Sequence, residues 1–72
     1  MIEPHYPKII MSFTYRNCKI EIERDTFNKQ DIYAAWVNYD LNCAMAVPFA
    51  ATPAEAIRKS KKWIDERLNS QN

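Results

Sequence analysis

The sequence predicts an α+β fold: an antiparallel β-meander of three to four strands with one C-terminal helix packed on one face. Three observations carry this. Residues Cys18 to Glu23 alternate strictly, with Cys18, Ile20 and Ile22 on one side and Lys19, Glu21 and Glu23 on the other, the period of a half-buried strand. Asp31 to Tyr39 is dense in aromatic and β-branched residues, as strands are. From Thr52 onward the apolar residues switch to helical spacing behind an N-terminal cap signal.

Met1 to Pro7 is expected to be an extended lead-in, because Pro4 and Pro7 fix φ and push their predecessors away from helix. A first strand follows over Lys8 to Tyr15, and Arg16-Asn17 makes a tight turn into the alternating strand. Asp25 to Gln30 is polar and is assigned to the next loop. In the third strand both faces are apolar: Ile32, Ala34 and Trp36 on one, Tyr33, Ala35, Val37 and Tyr39 on the other. Asp40-Leu41-Asn42 turns the chain into a fourth strand, Cys43 to Phe49, where Pro48 marks an edge because it cannot donate to a ladder. Thr52 as N-cap, Pro53 in the first turn and Glu55 three residues after the cap form a capping box. Ile57, Ile64 and Leu68 then share a helix face with Ala56, Ser60 and Trp63, supported by oppositely charged pairs Glu55–Lys59, Lys61–Asp65 and Lys62–Glu66. Residues 69–72 are expected to fray.

The chain has no glycine, although hairpin turns need positive φ. Asparagine is the next-best residue there, and Asn17, Asn28 and Asn42 fall at the predicted turns. At least one of Asn17 and Asn42 is expected to be left-handed.

The 72 residues are read as a single domain, near the lower size limit for independent folding, where only about 60% of the unfolded surface is buried. Self-association would add the missing margin. The net charge of +1 gives no global pull toward nucleic acid or anionic membranes. No apolar run approaches a membrane span and no export signal is evident, so a cytoplasmic location is expected.

Candidate chemistry is sparse. His5, the single histidine, lies in the lead-in, a poor place to hold a catalytic geometry. Cys18 and Cys43 would flank the third strand from either side. That spacing is about 9–10 Å, too wide for a disulfide, which needs Cα atoms within about 7 Å. Both are expected to be free, buried thiols. Glu21 and Glu23 are spaced like a catalytic carboxylate pair but read as a solvated face. Without glycine there is no phosphate-cradling loop. The expectation is therefore no catalytic or metal residues and no cofactor.

Two binding surfaces remain. A single helix covers one sheet face. If Trp36 and Ile32 point at it, then Tyr33, Ala35, Val37 and Tyr39 form an uncovered apolar surface beside Ala44, Ala46, Phe13 and Tyr15, fit for self-association or a protein partner. Otherwise, Ile9, Ile10 and Met11 would fold over it. The alternative is nucleic-acid contact through Arg58, Lys59, Lys61 and Lys62 on the helix.

The stretches Tyr33-Ala34-Ala35-Trp36-Val37, Asp40-Leu41-Asn42-Cys43 and Thr52-Pro53-Ala54-Glu55-Ala56 give Phe13 to Leu68 a layout that resembles the N-terminal domain of HicB-like antitoxins. In that family the turn typically carries a proline and a glycine, which are missing here. The family's DNA-binding segment has no counterpart in these residues. The resemblance implies a small antiparallel sheet running into one helix, and a protein that masks an RNA-cleaving toxin partner.

Overall fold

Antiparallel pairing in simple sequence order builds the molecule. The structure, a computed structural model, describes residues 8–40 and 42–69. Strands β1 (Lys8–Tyr15), β2 (Cys18–Phe27), β3 (Gln30–Tyr39) and β4 (Asn42–Ala50) form one sheet in the order β1-β2-β3-β4, followed by helix α1 (Pro53–Asn69). The predicted meander and its single C-terminal helix are both present.

The turns explain how a glycine-free chain makes tight hairpins. Arg16 and Asn17 have φ of 51° and 66°, and Asn28 and Lys29 have 51° and 64°. Two successive left-handed residues define a type I′ turn, whose twist matches the flanking strands. Asp40 also has positive φ, at 50°. Asn17 thus holds the left-handed conformation expected of it, while Asn42 is already in β4. The predicted loop Asp25–Gln30 is instead mostly strand, with only Asn28 and Lys29 turning.

Register decides which face is which. Ile20 lies opposite Val37 and Ile22 opposite Ala35, so Ala35 and Val37 share the face of the alternating apolar row of β2. That face meets α1. Cys18, Ile20, Ile22, Ala35, Val37, Val47, Ala50, Ala56 and Ile64 form the core, with Phe13, Tyr15, Tyr33, Tyr39, Ile57, Trp63 and Leu68 packed against it. Tyr33, Ala35, Val37 and Tyr39 therefore lie under the helix, and Ile32 and Trp36 lie on the opposite side, the reverse of the expected placement. They share that face with Phe13, Tyr15, Ala44 and Ala46, the predicted grouping, but it is the face beneath the helix. Both faces of β3 are apolar, so only its pairing with β2 could choose between them. The buried Ser60 lets the helix sit close to the sheet, and its hydroxyl donates to the Ile57 carbonyl at 2.8 Å, which satisfies the one buried polar side chain among the described residues.

The cap forms as read. The Glu55 N–H donates to Thr52 Oγ1 at 3.1 Å, and Glu55 Oε2 accepts from the Ala51 N–H at 3.2 Å. The carboxylate thus reaches one residue further back than the usual box. Glu55 also pairs with Lys59 at 2.7 Å and Lys62 lies 4.0 Å from Glu66. Asp65 takes partners from the β1–β2 end of the sheet instead of Lys61.

Candidate functional site

The helix is not centred on the sheet. It crosses β4 and β3 and touches β2, and it reaches β1 through side chains at that strand's C-terminal end. There the Tyr15 hydroxyl donates to both carboxylate oxygens of Asp65, at 2.9 and 3.1 Å, and Arg16 pairs with Asp65 at 2.8 Å. The Arg16 guanidinium and then the Tyr15 hydroxyl hold the Asp65 carboxyl below its ordinary pKa. The same bond raises Tyr15, because losing its proton would leave two anions side by side. Tyr15 and Asp65 are fifty residues apart in sequence, and no local pattern announces the pair.

The other half of β1 is bare. Ile9, Ile10 and Met11 are 38%, 41% and 41% exposed, so they do not fold over a sheet face but form part of the edge strand itself. Pairing places Ile9 with Glu23 and Met11 with Ile22, with a register break between them. Hence Ile9 belongs to the helix-free face and Met11 to the helix face.

The helix-free face is mixed, not apolar. Its middle row is Lys19, Glu21, Glu23 and Asp25 of β2, the solvated face the alternation indicated. Beside it on β3 stand Ile32, Ala34, Trp36 and Asn38, and Met45 follows on β4 opposite Trp36. Trp36 Nε1–H donates to Glu23 at 2.9 Å, and Asn38 Nδ2–H donates to Glu21 at 2.8 Å. These diagonal bonds fix both carboxylates against the sheet.

Neither a family model, nor a curated protein, nor a solved structure matches the chain.

The four basic residues singled out on α1 sit in different surroundings. Lys59 is tied to Glu55, and Lys62 is near Glu66. Lys61 Nζ lies over the rings of Phe13 and Tyr15, 5.8 and 5.3 Å from their centroids. Arg58 is exposed on the outer side. The array is partly neutralised and divided between two faces, a weak field for phosphates.

Cys18 is buried at the start of β2 and Cys43 is exposed on β4. The expected free state is observed for both, and the expected burial of Cys43 is not. Cys43 pairs with Asn38 and so lies on the helix-free face, whereas Cys18 lies in the core. His5 lies outside the described residues. Among those described, no group of His, Cys, Asp and Glu could hold a metal ion, and no helix is long and apolar enough to cross a membrane.

A cleft of about 530 Å³ opens at the turn end between Cys18, Tyr39, Trp63 and Arg67. Arg67 sits over both Trp63 and Tyr39, at 4.8 and 5.4 Å. With Arg16 bound to Asp65 and Asp40 on the rim, opposite charges balance around it.

Proposed function

We propose that this chain is a non-catalytic protein-interaction module that self-associates through the part of its sheet that the helix leaves bare. One observation carries the reading: α1 lies over β2 to β4, while Ile9, Ile10 and Met11 of β1 remain exposed at the edge. An edge strand with apolar side chains is an invitation to pair unless it is blunted. For so small a domain, a second copy also supplies burial that one chain cannot. The proposed contact surface is accordingly not the Tyr33–Tyr39 row, which lies beneath the helix, but β1 with its exposed Ile9, Ile10 and Met11.

Sedimentation velocity across a concentration series tests this. A mass that climbs from 8.5 kDa toward twice that value is the expected result, and a constant 8.5 kDa overturns it. Titration with short RNA and DNA at two salt concentrations separates the nucleic-acid alternative, which requires a salt-sensitive shift. Masking of a toxin, as the HicB-like resemblance implies, would show as a mixed complex with an unlike chain.

A further inference from the structure

We propose that two copies of this chain pair antiparallel along the free edge of β1, joining their sheets into one. The proposal rests on the self-association reading and specifies its partner and geometry.

The hairpin dictates which backbone groups are free. Tyr15 and Cys18 flank the two-residue Arg16-Asn17 turn. In a type I′ hairpin the flanking residues exchange both ladder bonds, and bonded and non-bonded pairs then alternate. Tyr15, Phe13 and Met11 therefore turn their N–H and C=O toward β2. Ser12 and Thr14 turn theirs outward, to the unpaired edge. Their side chains lie opposite Glu21 and Lys19, on the helix-free face.

The opposite edge is protected. Strand β4 contains Pro48, which has no N–H, and its register with β3 breaks twice; both features blunt an edge. In β1 there is one break, beside Ile10, and the stretch Met11 to Tyr15 beyond it pairs regularly. That stretch carries no charge of its own, so no like charges on the two strands face each other. An antiparallel register with Met11 opposite Tyr15 sets Ser12 against Thr14 on the helix-free face and Phe13 against Phe13 on the helix face. Each is a favourable cross-strand pair. Stacking two helix-free faces is the competing geometry. It would bury Glu21 and Glu23, for which no ion pair exists among the described residues, and the desolvation of such carboxylates opposes it.

The decisive measurement is backbone amide exchange by NMR on the full chain, over roughly 10 µM to 1 mM, a range that spans the affinities of small interfaces. Ser12 and Thr14 amides are expected to exchange fast when dilute and to gain protection in step with the doubling of mass, while Phe13 stays protected throughout. Thr14→Pro removes an edge donor without taking a bond from the β1–β2 ladder, and is expected to stay monomeric; Met45→Lys on the helix-free face is expected to dimerise normally. A dimer in which Ser12 and Thr14 remain unprotected, or one that Met45→Lys abolishes, overturns edge pairing and leaves self-association standing. A chain that stays monomeric throughout overturns both.

Discussion

Arg16, Asn17, Asn28, Lys29 and Asp40 all hold positive φ, a region that costs an L-residue roughly 1–2 kcal/mol unless its side chain is short and polar. Asparagine tolerates it, which is why the absence of glycine made Asn17 and Asn28 legible as turn residues. Lys29 has no such excuse. Its replacement by glycine creates the preferred Asn-Gly pair of a type I′ turn, and Lys29→Gly is expected to raise stability by up to about 1 kcal/mol, some 4–8 °C in melting temperature; thermal denaturation by circular dichroism checks it. Asp65 is the other residue with a measurable signature. Arg16 and Tyr15 favour its ionised form in the folded state, so its folded pKa lies below the unfolded value of about 3.9. The resulting stabilisation is present above the unfolded pKa and lost as pH falls through the folded one. Asp65→Asn should therefore flatten the acid limb of the melting temperature profile relative to wild type, with the largest difference near neutral pH. Equal acid limbs in the two proteins would show that the Arg16–Asp65–Tyr15 cluster is not formed in solution.

At the scale of elements, β2 was readable from its strict alternation, β3 from its aromatic and β-branched content and α1 from its cap. β1 ends where Tyr15 meets the Arg16-Asn17 turn, and α1 begins at Pro53 behind Thr52. The orientation of β3 was not readable in the same way. Its two faces are equally apolar, and the decision lies in the Asn28-Lys29 turn, which pairs Phe27 with Gln30 and so brings Ile20 opposite Val37. Reading Asp25–Gln30 as a longer loop left that register free, and one residue of slip exchanges the faces. The same register would have exposed the Trp36–Glu23 and Asn38–Glu21 bonds, whereas the Asp65 cluster depends on how α1 lies across the sheet. Substitution separates the two faces directly. Val37→Asp places a charge in the fully buried core and is expected to unfold the domain, since an unpaired buried carboxylate costs several kcal/mol. Ile32→Lys, five residues earlier on the half-exposed side, should change stability by no more than about 0.5 kcal/mol. Chemical denaturation of both variants checks the assignment, and the opposite order of stability would restore the face first expected from the sequence.

For the whole molecule, the off-centre helix links stability to association. Bare apolar residues at one edge and a core drawn largely from β2, β3, β4 and α1 make β1 the part that gains most from a neighbour. A second copy bound along it stabilises the folded chain by mass action, because the unfolded chain has no edge to pair. The melting temperature should then depend on protein concentration. A hundredfold increase above the dissociation constant adds about 1.4 kcal/mol per chain, worth roughly 5 to 10 °C for a domain of this size. Scanning calorimetry at two such concentrations is expected to show that rise in the wild type and a constant midpoint in Thr14→Pro. The contrast is informative because the proline removes a donor that the monomer does not use: a midpoint that rises equally in both proteins would place the stabilising contact away from the β1 edge.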